Sequence, residues 1–214
     1  MKKRMLIFWM SALAFVLSVC VGVYAVMQIV SSTWMTERAL RQWEEKYTHA
    51  QRSGADIIRE TEMPGGQADT ENGSSGKPRP LIVYPEGEVI GKIVFPSLRQ
   101  EMPIVEGTAM DDLARGVGHF KESVMPGGRG NAVLAGHRDG VFRQLGDIRI
   151  GDEVTVQTSE GTYVYKIKSR KIVAENDRSV SLEQQEPVLT LVTCYPFSYV
   201  GPAPKRLILT ASMQ

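Results

Sequence analysis

The stretch Leu189-Thr190-Leu191-Val192-Thr193 decides the fold, and it ends directly at Cys194. Its apolar and β-branched residues are typical of a β-strand inside a packed sheet. The chain has one other cysteine, Cys20, which lies in an uncharged stretch near the N-terminus. We expect the two thiols in different surroundings and unable to pair, so Cys194 is a free thiol at a strand end. Such a thiol is either an idle small hydrophobic group or a nucleophile.

Further short apolar runs, separated by turn residues, surround this strand. They occupy residues 89–95, 102–105, 131–135, 153–158, 162–173, 188–193 and 206–211. This spacing predicts an all-β antiparallel barrel or sandwich. Gly151-Asp152 and Glu160-Gly161 are predicted turns, because glycine accepts the positive φ that tight turns need. One helix is predicted at 109–115, with Thr108 as its N-cap.

The N-terminal part of the chain is expected to cross a membrane. Residues 5–30 contain no charged residue and no histidine, and the basic stretch Lys2-Lys3-Arg4 precedes them. A helix of this length, about 39 Å, spans a bilayer core of about 30 Å. The positive charge before it predicts a cytoplasmic N-terminus. Cleavage near Val23-Tyr24-Ala25 and lipidation of Cys20 are two weaker alternatives.

The rest of the chain is predicted to form a stalk, a linker and one folded domain. Residues 33–52 contain helical i,i+4 pairs such as Glu37 and Arg41 and lack Gly and Pro, which predicts a helix. A stretch rich in Gly, Ser and Pro follows and predicts a flexible tether. The predicted parts are a cytoplasmic tail (1–4), a membrane anchor (5–30), a helical stalk (31–59), a linker (60–80) and an extracellular domain (81–214).

The charges argue against a nucleic-acid partner. The 25 basic and 24 acidic residues are interspersed along most of the chain and leave a net charge of +1. A nucleic-acid surface needs a concentrated positive patch. The acids Glu101, Glu106, Asp111 and Asp112 are close in sequence, but such a cluster is ordinarily a hydrated face. We predict no metal ion and no cofactor.

A thiol needs a neighbouring cation to act as a nucleophile at neutral pH, because the pKa of an ordinary thiol is about 8.5. Three histidines are available. His49 lies on the predicted stalk and is interpreted as a solvated residue. His119 follows the predicted short helix and is the weaker candidate, with a half-buried loop residue as the alternative. His137 follows an apolar strand closed by Gly136, so its ring is expected at a strand end that a substrate can approach.

Arg206 begins the last predicted strand, and a loop rich in Pro and Gly separates it from Cys194. Two adjacent antiparallel strands joined by such a loop bring the start of the second beside the end of the first. A guanidinium at that place can hydrogen-bond a peptide substrate and stabilise an oxyanion without losing its charge. An arginine that caps a strand end or pairs with a surface acid is the alternative.

Together these residues resemble the sortases, the membrane-anchored cysteine transpeptidases of Gram-positive bacteria. The resemblance covers residues 81–212 and rests on Thr190-Leu191-Val192-Thr193-Cys194, on Leu134-Ala135-Gly136-His137-Arg138 and on Arg206. It implies a closed, eight-stranded β-barrel with one or two short helices. It also implies that Cys194 is the nucleophile, that His137 is the acid and base, and that Arg206 binds the substrate and the oxyanion.

The run from Cys194 to Phe197 and the run from Gly201 to Arg206 most resemble class D sortases of bacilli and clostridia. This implies cleavage of a Leu-Pro-x-Thr-type sorting signal after Thr, a thioester acyl-enzyme, and transfer to a peptidoglycan amine. The expected partners are surface proteins bearing the signal, the peptidoglycan precursor amine and membrane lipid through residues 5–30. Because thiolate and imidazolium must coexist, a bell-shaped pH profile is predicted.

Two other functions remain open at this point. A pilin-polymerising sortase is less favoured, because the Asp-Pro-aromatic lid of class C enzymes is not evident and no second transmembrane run follows Arg206, as such enzymes often carry. A non-enzymatic binding module tethered to the membrane is the other. Labelling of Cys194 by a thiol-reactive Leu-Pro-x-Thr peptide would distinguish an enzyme from a module.

Some further side chains are weaker candidates for the site. Thr193 is placed to orient the thiol or the substrate, although a β-branched residue in a strand needs no functional reason. Asp139 is placed to orient the imidazole, but it also suits a turn. Apolar residues that are able to line a groove for the Leu-Pro part of the signal, each better explained singly as core, are Met102, Ile104, Val105, Val180, Leu182 and Val200.

Overall fold

Eight β-strands close into a barrel in the computed structural model, which describes residues 9–10, 13, 15–24, 27, 34–48, 84–199 and 201–214. Around the barrel the strands follow the order β1-β2-β3-β4-β7-β8-β6-β5. The predicted eight-stranded closed barrel is confirmed. In chain order the strands are β1 (Val89–Phe95), β2 (Gln100–Glu106), β3 (Val117–His119), β4 (Gly130–Gly136), β5 (Glu153–Thr158), β6 (Gly161–Ala174), β7 (Pro187–Tyr195) and β8 (Lys205–Met213).

The sequence predicts antiparallel strands throughout, but two of the strand pairs in the barrel are parallel. Strand β2 pairs with β3 in parallel, and β4 pairs with β7 in parallel, whereas the other neighbours are antiparallel. A parallel pair needs a long connection. The helix Met110–Arg115 and its flanking residues connect β2 to β3, and β5 and β6 lie between β4 and β7 in the chain. The first crossover places β3 beside β2, and the second places β7 beside β4.

Strand β3 is the element that the sequence analysis missed. Its three residues, Val117, Gly118 and His119, are all buried. A strand this short shows no alternating pattern, and its pairing with β2 and β4 is set by the rest of the fold. His119 therefore lies within the barrel wall and not in a half-buried loop.

The interior of the barrel is filled by inward-facing side chains of the strands and of the 142–148 segment. Tyr165, Phe95 and Phe142 are the largest fully buried side chains, and the rings of Phe95 and Phe142 meet edge to face at 6.3 Å. Met102 and Ile104 belong to the same core. Both are buried, at 6% and 0% exposure, which agrees with the interpretation of these residues as core.

Helix α1 (residues 34–48) contacts the outside of the barrel at β1 and β2. Ala39 and Trp43 are buried against Val89 and Val105, with Tyr47 packed at the margin. The sequence predicts this helix as part of a stalk and gives no sign of a contact with the barrel. Val105 is consequently buried under α1 and is not a groove residue.

Salt bridges at the edge of this contact join α1 to the barrel. Lys46 pairs with Glu88, and Lys92 of β1 lies 3.5 Å from Glu44 of α1 and 3.1 Å from Glu101 of β2. Exposed pairs of this kind contribute on the order of 0–1 kcal/mol each. The apolar contact of α1 with the barrel is therefore the stronger part of the interface.

Helix α2 (Met110–Arg115) matches the predicted helix at 109–115 to within one residue. Its N-cap is Ala109 and not Thr108, and the carboxylate of Asp112 accepts the Ala109 N–H at 3.1 Å. The predicted N-cap is wrong by one residue, because the side chain at the third helical position, Asp112, binds the backbone N–H of Ala109 and so marks Ala109 as the cap.

The N-terminal predictions fall largely outside the described residues. The tail at 1–4 and the linker at 60–80 are wholly outside them, and the predicted span at 5–30 is described only in part. Among the residues that the structure describes, no helix is both long enough and apolar enough to cross a bilayer. The division of the chain into these parts stays a prediction.

Candidate active site

Cys194 and Arg206 lie directly opposite each other on neighbouring strands. They are a register pair between β7 and β8, which run antiparallel. Residues directly opposite in such a pair point to the same face, with Cβ atoms about 4.5–5.5 Å apart. Both side chains are partly exposed at the end of the barrel. The structure therefore brings the predicted nucleophile and the predicted oxyanion residue together.

His137 reaches the same end of the barrel from β4. Gly136 is the register partner of Thr193 in the parallel β4–β7 pair. Cys194 and His137 thus follow two residues that face each other, on strands about 4.8 Å apart. The three predicted site residues therefore lie at one end of the barrel: Cys194 on β7, Arg206 on β8 and His137 directly after β4.

A buried hydrogen bond joins the two strand ends that carry the thiol and the imidazole. The hydroxyl of Thr193 donates to the carbonyl oxygen of Gly136 at 2.7 Å, and Thr193 is only 2% exposed. The hydroxyl is therefore occupied within the sheet, one residue before Cys194. Thr193 therefore links β7 to β4 directly beside the two strand ends that carry the thiol and the imidazole.

The turn after β4 holds His137 through its backbone. The His137 carbonyl accepts hydrogen bonds from Gly140 N at 3.2 Å and from Phe142 N at 3.0 Å. A Cβ atom added at Gly136 would lie 2.6 Å from the Phe142 ring, so glycine is required before the histidine. Asp139 is exposed within this turn, as expected of a turn acid.

The guanidinium of Arg206 is held by three hydrogen bonds. Its Nη1 donates to the carbonyl oxygens of Ala203 at 2.9 Å and of Lys205 at 3.0 Å, and its Nη2 donates to Glu175 Oε1 at 3.0 Å. Arginine has five N–H donors. The described residues therefore leave the Nε hydrogen and one Nη2 hydrogen unengaged. These hydrogens are the part of the guanidinium that a substrate can use.

Glu175, at the end of β6, was not found by sequence reasoning. Its side chain is 61% exposed, so the ion pair with Arg206 is screened by water and contributes little. The alternative interpretation of Arg206, a pair with a surface acid, is thus realised together with its place beside Cys194. A ligand can displace this carboxylate at small cost.

His119 is excluded as the partner of Cys194 by its position and by its bonds. Its register partner on β4 is Leu134, about 10 Å along the strand from His137. It is 2% exposed; its Nδ1 lies 2.8 Å from Glu106 Oε2, and its Nε2 lies 3.1 Å from the Val124 carbonyl. Both ring nitrogens are therefore occupied within the fold.

A thiol, an imidazole and a guanidinium gathered at one end of a closed β-barrel define a cysteine enzyme acting on acyl groups. A match to the Sortase domain family covers residues 93–214. Sortase D of Bacillus subtilis (strain 168) is 43% identical over 148 residues, which are 68% of this chain and 75% of that protein.

Solved structures of sortases share this fold. The Sortase D5 transpeptidase of Clostridium perfringens matches with a TM-score of 0.64 at 22% identity, over 84% of this chain and 98% of that one. Sortase C of Clostridium perfringens, solved with the C-terminal cell wall sorting motif, matches with a TM-score of 0.55 at 27% identity, over 60% of this chain and 72% of that one. The chain belongs to the sortase family and is a cysteine transpeptidase, with the class D resemblance confirmed.

Proposed function

We propose that this sortase cleaves a Leu-Pro-x-Thr-type sorting signal after Thr and transfers the protein to an amine of cell-wall peptidoglycan. The observation that carries the proposal is the register of β4, β7 and β8: Cys194 is opposite Arg206, and His137 follows Gly136, the partner of the residue before Cys194. The similarity to a sortase C solved with a cell wall sorting motif supports a peptide of this kind as substrate.

In the first half-reaction the thiolate of Cys194 attacks the carbonyl carbon of the Thr residue in the signal. The oxyanion that forms is stabilised by the free N–H groups of Arg206. The C–N bond then breaks, and the imidazolium of His137 gives its proton to the departing amine. The product is a thioester between Cys194 and the N-terminal part of the substrate.

In the second half-reaction an acceptor amine attacks the thioester carbonyl. The neutral imidazole of His137 takes a proton from this amine as the new C–N bond forms. The C–S bond breaks and the Cys194 thiolate is restored. Proton and leaving group balance over the two halves, so no cofactor is required by this cycle.

We also propose that the protein is a single-pass membrane protein with a cytoplasmic N-terminus and an extracellular barrel. The uncharged run at 5–30 and the three basic residues before it support this placement. Transfer to cell-wall material requires the site on the outer side of the membrane. The partners of the proposed reaction are surface proteins bearing the signal and a peptidoglycan precursor amine.

A mass-spectrometric assay of the full chain in detergent tests the proposed function. The substrates are sorting peptides that differ in the residue after Thr, offered with and without a small peptidoglycan-type amine. We expect cleavage after Thr, a thioester adduct on Cys194, and a product carrying the added amine. Cys194→Ala and His137→Ala are expected to form no adduct and no product.

The outcomes separate the three functions considered. Cleavage of none of the peptides by folded protein, or full activity in Cys194→Ala, would defeat the proposal. Binding of the peptide without any adduct would favour a binding module. Transfer only to a lysine side chain of a pilin peptide, and not to the peptidoglycan amine, would favour a pilin-polymerising enzyme.

A further inference from the structure

Arg138, the residue after His137, reaches across to the loop that joins β7 to β8. Its Nη1 donates to the carbonyl oxygen of Pro196 at 3.1 Å, and its Nη2 donates to the carbonyl oxygen of Gly201 at 2.7 Å. Its guanidinium carbon also lies 5.8 Å from the centre of the Tyr199 ring, within cation–π range. One side chain of the β4 turn thus contacts three residues of this loop.

The loop is fixed to the barrel at a second place as well. Phe197 packs edge to face on Tyr195 at 6.0 Å, and a Cβ atom added at Gly146 would lie 2.8 Å from the Phe197 ring. This contact holds the first part of the loop. Gly201, by contrast, is an exposed residue with φ of +107°, and its carbonyl is held by Arg138.

A short path connects Arg138 to the oxyanion residue. The Gly201 carbonyl is two residues from Ala203, whose own carbonyl accepts a hydrogen bond from Arg206 Nη1 at 2.9 Å. The backbone of Arg206 is set by its register with Cys194. The direction of its guanidinium depends in addition on where the loop presents the Ala203 carbonyl.

We propose that Arg138 is a positioning residue for the transpeptidase reaction. It holds the β7–β8 loop so that the Ala203 carbonyl aims the guanidinium of Arg206 at the carbonyl being attacked. This role rests on the proposed function, because it requires that Arg206 stabilise the oxyanion at Cys194. Arg138 itself touches neither the substrate nor the thiol in this role.

The chemistry of the contact requires arginine. Two carbonyl oxygens on different residues are bound by two nitrogens of one planar guanidinium, a geometry that a lysine ammonium does not reproduce. Arg138→Lys retains the charge and reaches one carbonyl. Arg138→Met retains most of the apolar stem and donates to neither carbonyl. The two substitutions therefore remove the hydrogen bonds to the loop in steps, without removing the side-chain packing.

The test uses the full chain in detergent and compares Arg138→Met, Arg138→Lys and a control, Arg143→Met. Arg143 is exposed in the same turn segment, and its substitution removes the same charge without touching the β7–β8 loop. We expect the kcat/KM for peptide cleavage to fall about 10- to 100-fold in Arg138→Met, chiefly through kcat, because the guanidinium of Arg206 is misplaced. Arg138→Lys is expected in between, and Arg143→Met within about twofold of the unaltered chain.

A second readout separates positioning from a loss of folding. Alkylation of Cys194 by iodoacetamide, followed by mass spectrometry of the peptide that contains it, needs the thiolate but forms no oxyanion that a guanidinium would have to stabilise. We expect its rate in Arg138→Met to remain within about twofold of the unaltered chain. A parallel fall of alkylation and cleavage would overturn the proposal, and so would a cleavage rate equal to that of the control.

A double substitution tests the path through Arg206. In an Arg206→Lys background, Arg138→Met is expected to lower the residual cleavage by less than about threefold, because the group it positions is already lost. If Arg138→Met lowered cleavage in this background as much as it does in the unaltered chain, Arg138 would act by another route and the proposal would be overturned. Cys194→Ala is assayed alongside and tests the proposed function separately. The cleavage that it loses depends on the nucleophile and not on Arg138.

Discussion

Replacing Trp43 by Ala tests whether helix α1 is part of the folded domain. Trp43 is 3% exposed, and it packs with Ala39 against Val89 and Val105 of the barrel. Its ring also stacks on Tyr47 at 5.5 Å. Removing the indole takes away the largest side chain in the contact between α1 and the barrel.

The expected loss follows from the buried area. A tryptophan buries about 150–250 Å², which at about 25 cal/mol per Å² corresponds to roughly 4–6 kcal/mol. Residual burial in the unfolded chain reduces this figure by about 10–40%, which gives a range close to the 3–5 kcal/mol typical of Trp→Ala substitutions. For a protein of this size, Tm falls by about 2–4 °C per kcal/mol, so a drop of about 6–20 °C is expected.

Trp34→Ala is the matched control, because Trp34 lies on the same helix and is 56% exposed. Tm is measured by circular dichroism of the full chain in detergent, and hydrogen exchange is followed in residues 34–48. If α1 detaches before the barrel unfolds, Trp43→Ala speeds this exchange even where the fall in Tm is smaller. Equal Tm values for the two variants, together with unchanged exchange in α1, would refute the reasoning.

Two further substitutions test buried hydroxyl groups. Thr193→Val is expected to lower the free energy of unfolding by about 1–3 kcal/mol and to reduce kcat, because the carbonyl of Gly136 loses its hydrogen-bond donor. Thr193→Ser keeps the hydroxyl and is the control. An equal loss of kcat in Thr193→Ser, in the same cleavage assay, would show that the hydrogen bond is irrelevant. Burial raises the pKa of the Tyr165 phenol, whose oxygen accepts the Gly127 N–H at 2.7 Å. The unfolded chain loses this proton at a lower pH than the folded chain does, so the free energy of unfolding falls as pH rises above about 10. The difference in unfolding free energy between the unaltered chain and Tyr165→Phe, measured in urea, should therefore become smaller above that pH. A difference that stays constant with pH would contradict this prediction.

The sequence predicted most of the barrel because most strands carry their own signal. The predicted run at 89–95 coincides with β1, and that at 153–158 coincides with β5, since each combines β-branched residues with a flanking turn. Strand β3 has only three residues, and its pairing is set by neighbours distant in sequence. No local pattern was available to predict it.

The three residues of the candidate site could be predicted from the sequence, but the residues that contact and position them could not. Cys194, His137 and Arg206 stand at the ends of apolar runs, and a strand end is visible in the sequence. Glu175 and Arg138 are charged residues outside the apolar runs, where most charged residues are solvated. Their roles depend on which carbonyls and guanidinium groups lie within reach, which follows from the pairing of strands far apart in the chain.

The contact of α1 with the barrel was missed for a related reason. Trp43 and Ala39 are four residues apart and lie on one face of the helix, but a short apolar stripe on a polar helix does not say what it packs against. The partner residues, Val89 and Val105, are a register pair between β1 and β2, and both were read as strand residues without a covering element.

The barrel order gives a physical reason why the reacting groups sit where they do. His137 and Cys194 are separated in the chain by β5, β6 and their turns, yet the parallel pairing of β4 with β7 sets their strand ends side by side. The backbone spacing of thiol and imidazole is therefore fixed by sheet hydrogen bonds and by the buried Thr193 contact. The guanidinium of Arg206 is different, because its outer atoms rest on a loop carbonyl and an exposed carboxylate. Substitutions outside β4 and β7 should consequently alter oxyanion stabilisation more readily than they alter the approach of imidazole to thiol.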